Sequence, residues 1–268
     1  MTPVYVSEGR GPIILAQPHS GMDVPENILA NLNETGRRLL DTDWHIPRLY
    51  DGLLPEASIV RANFSRYVID PNRDPAGGSL YPGQNTTSLV PETTFDGVPI
   101  WKTPLTDEDI ADRLARFHVP YHDALRAEIN RVKAAHGFAI LYDCHSIRST
   151  IPHLFDGRLP DLNIGTNDGA SCHVGIQNAA RDVCARQDIF NFVVNGRFKG
   201  GWTTRHYGQP QAGVHAIQME IAQCAYLSQE VPPFTYDVKR AETLRRLLGE
   251  ILGAIGAEGK NIKSGGNP

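Results

Sequence analysis

Residues 138–149 read FAILYDCHSIRS, an apolar run followed at once by polar and charged side chains. A run this short, bounded by polar residues, predicts a buried β-strand over residues 138–144. Further runs of the same character are PIILAQ at 12–17, ASIVRA at 57–62, FVVN at 192–195 and HAIQMEI at 215–221. Helical patterns lie between them. This alternation predicts an α/β fold with a mostly parallel or mixed central sheet flanked by helices.

The clearest helical pattern lies between the second and third strands. It starts near Thr106, where Asp109 three residues on forms a capping box, and apolar residues then recur every three or four positions as far as Val132. Pro120 is expected to kink this helix. Two more helices are predicted, at about 171–186 and about 236–256.

Composition indicates one ordinary globular domain. The chain has 268 residues, 41% of them hydrophobic, with a formal net charge of −4. We expect a single catalytic domain over residues 1–258 and a flexible tail over 259–268. A slightly acidic chain without a basic block argues against nucleic acid as a partner. The sequence shows neither a leader peptide nor a membrane span, which predicts the cytoplasm, and its cysteines form no CxxC pair.

A long polar segment, residues 77–104, is rich in Gly, Pro and Thr. Loops of this length in a compact domain are either functional covers or disordered. The aromatic residues Tyr81, Phe95 and Trp101 favour an ordered cover.

Two histidines follow predicted strands directly. His19 comes after PIILAQ and His145 after FAILYDC, and ligands of open α/β sheets gather beyond the carboxyl ends of the strands. Both are therefore the leading candidates for metal ligands, although a histidine at a strand end is more often a hydrogen-bonded loop residue. Asp143 lies on the same side of its strand as His145 and could orient that imidazole. Asp41 and Asp43 offer further carboxylates, or cap a helix.

Three other segments combine charge with chain features typical of binding sites. In SRYVIDPNRDP at 65–75, two arginines frame Asp70 and Asn72, which suits either a fork for a carboxylate or a salt-bridged turn. The segment NGRFKGGWTTRHYGQP at 195–210 places cations among glycines. Glu220 lies in an apolar strand, where burial would raise its pKa and make it a usable general base.

Some motifs are set aside. His118 and His122 are four residues apart as in HExxH, but Val119 takes the place of the glutamate, so a structural role is favoured. Cys144 faces away from His145 on a strand and is a poor nucleophile candidate. No serine lies in a GxSxG elbow.

The longer motifs together resemble the N-formylglutamate amidohydrolase family over nearly the whole chain. The resemblance rests on PHSG (18–21), TDW (42–44), SRYVIDPNRDP, PYH (120–122), DCHSIRS, LFDGRLPDLNIGTNDGASC (154–172), NGRFKGGWTTRHYG and HAIQMEIAQCAY. It implies a hydrolase that cleaves N-formyl-L-glutamate to formate and L-glutamate in histidine degradation. It also implies a phosphorylase/hydrolase-like fold related to zinc carboxypeptidases and aspartoacylases.

The resemblance also implies roles for residues. His19 and His145 match metal ligands for one divalent ion, expected to be zinc, and Glu220 matches the glutamate that activates water. Asn72 and Arg73 match a pair that grips a substrate carboxylate, with Arg66 placed to assist. Arg73 and Arg205 are the expected anchors for the two carboxylates of a dianionic small-molecule substrate.

The chain departs from its more distant relatives at one position. They carry an acidic ligand three residues after the first histidine, where this chain has Met22. Asp43 is the predicted replacement, chosen over Asp23 and Asp70. Two alternatives stay open: an amidohydrolase for another N-acyl amino acid, and a metal-free binding module for acidic amino acids. The sequence does not indicate an oligomeric state.

Overall fold

The structure, a computed structural model, describes residues 1–78 and 86–265. Its sheet has seven strands, β1 to β7, at Val4–Ser7, Ile13–Gln17, Ser58–Ala62, Ala139–Ile147, Leu162–Gly165, Phe192–Val194 and Val214–Ala222. Their order across the sheet is β1-β3-β2-β4-β7-β5-β6. The four strands β3, β2, β4 and β7 pair in parallel, whereas β1 and β5 run antiparallel to their neighbours β3 and β7. The predicted α/β fold with a mostly parallel, mixed sheet in one domain is confirmed.

Helices cover both faces of this sheet. They are α1 to α7, at Glu26–Asn31, Ile46–Tyr50, Asp107–Arg113, Val119–His136, Val174–Ala185, Trp202–Tyr207 and Val238–Gly265. Alternate residues of β4 face opposite sides of the sheet and belong to two different apolar cores. Ile140 and Tyr142 lie in the core with α5 and α7, and Leu141 lies in the core with α4. Since side chains alternate along a strand, a continuous apolar run such as FAILY must be covered on both faces.

The central strands are longer than their apolar runs. β4 pairs with β7 from Ala139 opposite Val214 to Ile147 opposite Ala222, so His145 lies inside the strand rather than beyond it. β4 forms backbone hydrogen bonds with its two neighbours, β2 and β7. These bonds continue the strand past the point where its apolar sequence pattern ends in polar residues. The short strands β1 and β5 were not predicted.

The predicted long helix is interrupted. It begins as expected, since Thr106 Oγ1 accepts from Asp109 N at 3.2 Å and Asp109 Oδ2 accepts from Thr106 N at 3.0 Å. A π-helical segment, Leu114–His118, then joins α3 to α4. It lies immediately before Pro120, whose missing N–H breaks the regular α-helical hydrogen-bond ladder. The predicted kink therefore takes the form of a wider turn.

The predicted cover is described from residue 86 onward, and Tyr81 lies outside the described residues. Phe95 is buried, and its N–H donates to Asp41 Oδ2 at 2.8 Å. The indole N–H of Trp101 donates to the carbonyl of Pro91 at 2.8 Å. The described part of this segment is thus packed onto the protein.

The last helix extends beyond its predicted end near residue 256. It continues to Gly265, so residues 259–265 are helical. Gly259 packs against the ring of Phe138, and the ammonium group of Lys263 donates to the carbonyl of His136. These contacts explain the longer helix. Within residues 1–78 and 86–265, no helix has the length and apolar character needed to cross a bilayer.

Candidate metal centre and its cavity

Neighbouring parallel strands bring the predicted histidines together. His19 follows β2 by two residues, and His145 lies in β4 directly beside Glu220 of β7. The ring centroids of His19 and His145 are 4.9 Å apart, and both side chains are buried. Imidazoles that share one zinc each bind it at about 2.1 Å, so rings this close can meet at a single ion.

Asp43 completes a group of three. One ligand atom from each of His19, Asp43 and His145 lies within 4.8 Å of the others. Oδ2 of Asp43 is 3.2 Å from Nδ1 of His145 and 3.7 Å from Nδ1 of His19. Tetrahedral ligands at about 2.1 Å from one ion are roughly 3.4 Å apart, which these distances match. The cluster could therefore hold a divalent metal.

The other acidic candidates lie elsewhere. Asp23 is exposed, and only its backbone pairs with Phe64. Oδ2 of Asp41 accepts hydrogen bonds from the N–H of Phe95, in the cover, and from the hydroxyl of Tyr67 at 2.7 Å. Among these acids, Asp43 is the one that faces both histidines. α2 has no side-chain hydrogen bond at its cap, so Asp43 does not cap that helix.

Asp70 orients His19 from behind. Nε2 of His19 donates to Asp70 Oδ1 at 2.7 Å, because a carboxylate can only accept. Nδ1 of the same ring lies 3.3 Å from the guanidinium NH1 of Arg66, which can only donate. Nδ1 therefore carries a lone pair and faces Asp43, as a metal ligand requires.

His145 is held by different neighbours. Its Nε2 lies 3.1 Å from the amide Nδ2 of Asn72, which can only donate, and 3.1 Å from Asp143 Oδ1, which makes a close ionic contact without a hydrogen bond. Its Nδ1 is directed at Asp43. Nδ1 of both imidazoles therefore faces the shared carboxylate of Asp43, whereas the neighbours of Nε2 differ between the two rings.

Negative charge predominates around the two rings. Three buried carboxylates, Asp43, Asp70 and Asp143, lie there with one buried guanidinium, that of Arg66, and the carboxyl group of Glu220 lies beside them. Burial opposes ionisation of Asp70, but Arg66, 2.5 Å away, and His19 hold its pKa well below the usual value. Burial likewise would lower the pKa of His145, yet the carboxylate of Asp143 raises it well above the usual value. Buried carboxylates in such excess favour a bound cation, which agrees with the donor set.

Glu220 is buried beside the cluster. Burial raises its pKa to about 8, although the neighbouring His145 opposes the shift. Its Oε2 accepts a hydrogen bond from the amide of Gln218 at 3.1 Å, and Oε1 of Gln218 accepts from the N–H of Gly201 at 2.7 Å. The carboxylate is thus held in place and has a pKa suited to proton transfer near neutral pH.

The amide of Asn72 is oriented by the start of α6. Its Oδ1 accepts from the N–H of Thr203 at 2.8 Å, so Nδ2 is directed at His145. Gly201 precedes this helix, and a Cβ added there would lie 2.2 Å from Nδ2 of Asn72. Contacts under about 3 Å between such atoms are not tolerated, so glycine permits the close approach.

We predict that Gly201→Ala lowers kcat/KM for the substrate proposed below by about 10²-fold, because small displacements of positioning groups have effects of that size. Gly249→Ala is the matched control. Gly249 lies in α7, and a methyl group added there would enter open space. It should keep full activity and raise stability by about 0.5–1 kcal/mol. Steady-state kinetics and thermal unfolding check both, and an active Gly201→Ala variant would contradict the prediction.

A cavity that is open to solvent lies over the cluster. His19, His145 and Glu220 line its floor, and its other lining residues are Arg66, Asn72, Arg73, Thr86, Thr87, Phe95, Ser146, Ile147, Leu154, Arg197, Phe198, Gly201 and Gln218. Arg73 donates from Nε to the carbonyl of Thr87 and from NH2 to its hydroxyl, each at 2.9 Å. This joins the cover to the cavity.

Arg205, a predicted substrate anchor, lies in α6. It is not among the described residues that line the cavity, and its Nε donates to the carbonyl of Gly200 at 2.9 Å. Arg197, eight residues earlier in the same segment, lines the cavity, where its Nε donates to the carbonyl of Leu154 at 3.3 Å. The sequence analysis chose Arg205 as the anchor and assigned no role to Arg197, which lies in the same segment.

Gln218 and Arg197 were not predicted as site residues. Gln218 had a local signal, since it lies two residues before Glu220 and therefore on the same face of β7. Arg197 had none, because it lies in an irregular segment. Cys144 is buried in the apolar core, which raises the pKa of its thiol well above the usual value, as suits an unreactive side chain.

Comparisons with known proteins show the family to which the chain is similar. The sequence model of a family described as N-formylglutamate amidohydrolase matches residues 11–227. The N-formylglutamate deformylase of Pseudomonas aeruginosa is 46% identical over 256 residues, which cover 94% of this chain and 95% of that protein. The protein of the same name from Pseudomonas putida is 45% identical over 255 residues, with the same coverage of 94% and 95%.

The fold is also found among solved structures. The N-formylglutamate amidohydrolase of Ralstonia eutropha JMP134 superposes with a TM-score of 0.80 at 23% identity, covering 99% of this chain and 100% of that one. A protein of Agrobacterium tumefaciens superposes with a TM-score of 0.70 at 19% identity, covering 95% and 96%. At these identities the likeness concerns the fold.

Proposed function

The chain belongs to the N-formylglutamate amidohydrolase family, and from this membership we propose that it hydrolyses N-formyl-L-glutamate to formate and L-glutamate. The observation that carries the proposal is the floor of the cavity, where a His/Asp/His group lies beside a buried glutamate with a raised pKa. That combination is typical of metal-assisted hydrolysis. Arginines along the wall suit an anionic substrate.

The proposal includes one divalent metal, with zinc as the favoured ion. His19, Asp43 and His145 would hold it, because two imidazole nitrogens and one carboxylate are a common zinc donor set. When bound, such an ion polarises the formyl carbonyl and makes water easier to deprotonate. Asp70 and Asp143 would keep the two imidazoles oriented.

Glu220 is the proposed general base. Gln218 holds its Oε2, and we propose that Oε1 takes a proton from the water that attacks the formyl carbon. Breaking the carbon–nitrogen bond then needs a proton on the leaving amine, and Glu220 can return the one it took. A carboxyl with a pKa near neutrality serves in both directions.

The positive charge of Arg66 is suited to stabilising negative charge near the reacting carbonyl. Its guanidinium is buried between two carboxylates, 2.5 Å from Asp70 and 3.9 Å from Asp43, beside His19. We propose that it stabilises the negative charge that develops on the formyl oxygen. The carboxylates of the substrate would then bind farther out, to Asn72, Arg73 and Arg197.

We predict that Arg197→Ala raises KM for N-formylglutamate by about 10-fold or more with little change in kcat, since a hydrogen bond to a charged group contributes about 1.5–3 kcal/mol. Arg205→Ala is the control from the same segment and should change KM less than about twofold, because its side chain is outside the described cavity lining. Steady-state kinetics of both variants check this. An equal increase in KM in the two variants, or a larger increase in Arg205→Ala, would indicate that Arg205 anchors the substrate.

Turnover of a panel of N-formyl and N-acetyl amino acids, with and without chelator, tests the function. We expect preference for N-formyl-L-glutamate and loss of turnover after chelation. Preference for another N-acyl amino acid would indicate a related amidohydrolase. Binding of glutamate without any turnover, and without bound metal, would indicate a binding module. A role in histidine degradation and a cytoplasmic location, both predicted above, are part of the proposal.

A further inference from the structure

Two histidines outside the metal cluster contact the chain on either side of Asn72. His118 ends the π-helical segment and His122 lies one turn later in α4; both side chains are buried. Their ring centroids are 4.4 Å apart. π-Helical turns occur often at functional sites, so the placement of His118 on one is a reason to ask what it holds.

Each ring donates a hydrogen bond to a backbone carbonyl of the segment Pro71–Arg73. Nε2 of His122 lies 2.8 Å from the carbonyl oxygen of Pro71, and Nε2 of His118 lies 3.1 Å from that of Arg73. A carbonyl can only accept, so both Nε2 atoms carry the proton. The two hydrogen bonds therefore flank Asn72.

The surroundings keep both imidazoles in this form. Nδ1 of His122 lies 3.0 Å from the hydroxyl of Tyr207, which can donate to it. Burial lowers the pKa of His122 to about 3 and also lowers the pKa of His118. Both rings are thus neutral donors at neutral pH. The indole of Trp202, at the start of α6, packs against His122 with ring centroids 4.7 Å apart.

These rings do not form a second metal site. Both Nε2 atoms are engaged by carbonyls, and within residues 1–78 and 86–265 the group of His19, Asp43 and His145 is the one cluster with metal-binding spacing. His118 and His122 instead contact the segment Pro71–Arg73, which is also held by a hydrogen bond from α6. From the opposite side, the N–H of Thr203 orients the side-chain amide of Asn72.

We propose that His118 and His122 are positioning residues that hold the Pro71–Arg73 segment, so that the amide of Asn72 and the guanidinium of Arg73 face the cavity. The inference rests on the proposed function, because these two side chains are assigned there to substrate binding. The histidines act through the backbone of this segment and touch neither metal nor substrate. Their role depends on the reach of Nε2, which a conservative substitution can reproduce.

The test compares two amide replacements of similar size. Glutamine places its amide nitrogen close to the position of Nε2, whereas the shorter asparagine places it near Nδ1 and cannot reach the carbonyls. We expect the double variant His118→Asn/His122→Asn to lose about 10²-fold in kcat/KM, as misplaced binding groups do, and His118→Gln/His122→Gln to stay within about 10-fold of the parent. Metal content should be unchanged in both.

Affinity for the product gives a readout without turnover. Calorimetric titration with L-glutamate should show a Kd that rises about 10-fold or more in the asparagine variant and stays close to the parent in the glutamine variant. If the asparagine double variant does not fold, the single variants at His118 decide in the same way. Equal losses in the asparagine and glutamine variants, or no loss in either, would overturn the proposal. A parent protein that neither hydrolyses N-formylglutamate nor binds L-glutamate would instead refute the proposed function.

Discussion

Replacing Glu220 by glutamine is expected to lower kcat for N-formylglutamate by about 10² to 10⁴-fold while bound metal is retained, because loss of a well-placed general base has effects of this size. The replacement is nearly isosteric, so β7 should still pack. A neutral amide cannot accept the proton of water at neutral pH. Steady-state kinetics and metal analysis of the purified variant check both parts.

Glu128→Gln is a suitable control for this prediction. Glu128 is also buried, but it is paired with Arg131 at 2.6 Å beside Ser58, at the opposite end of the parallel strands. Its replacement should lower stability and leave kcat unchanged. If Glu220→Gln keeps a normal kcat, Glu220 is a buried structural acid. If it loses metal, Glu220 is a ligand.

Asp43→Asn is expected to remove the bound metal and to lower turnover by more than about 10²-fold, since even outer carboxylates that orient metal ligands affect affinity by about 10- to 100-fold. Asp43 Oδ2 lies between Nδ1 of His19 and Nδ1 of His145, so its charge acts on both imidazoles. An amide in this place supplies a neutral and weaker donor. Metal content after dialysis, together with kcat, measures the effect.

The matched control is Asp41→Asn, two residues earlier. Asp41 is equally buried, but its carboxylate accepts from Phe95 N and Tyr67 and does not face the histidines. This variant should keep its metal and lose stability, since a hydrogen bond from the cover is weakened. Metal loss in the Asp41 variant with retention in the Asp43 variant would reverse the assignment.

Much of the fold could be predicted from local patterns. Four of the five predicted strands, β2, β3, β4 and β7, are largely buried apolar runs, whereas the predicted strand β6 is a short, partly exposed apolar run. β1 and β5 were missed because VYVS and LNIG are short and mix apolar residues with serine, asparagine or glycine. The end of α7 was predicted too early, since its contact with Phe138 comes from a residue distant in sequence.

The site was only partly predictable, for the same reason. His19, His145 and Glu220 are polar residues within or directly after buried strands, where parallel pairing makes neighbours of residues far apart in sequence. Gln218 could have been found by the same rule. Arg197 could not, because irregular segments have no period that indicates where a side chain points.

The sequence by itself predicted the α/β class, five of the seven described strands, and His19, His145 and Glu220 as candidate site residues, because burial and periodicity act over a few residues. Only the tertiary structure shows that Asp43 faces both imidazoles while Asp41 faces Phe95, that Arg197 and not Arg205 lines the described cavity, and what His118 and His122 contact. Each of these depends on how loops and a helix approach the sheet edge. That approach is set by packing among residues distant in sequence, and a single sequence does not display it.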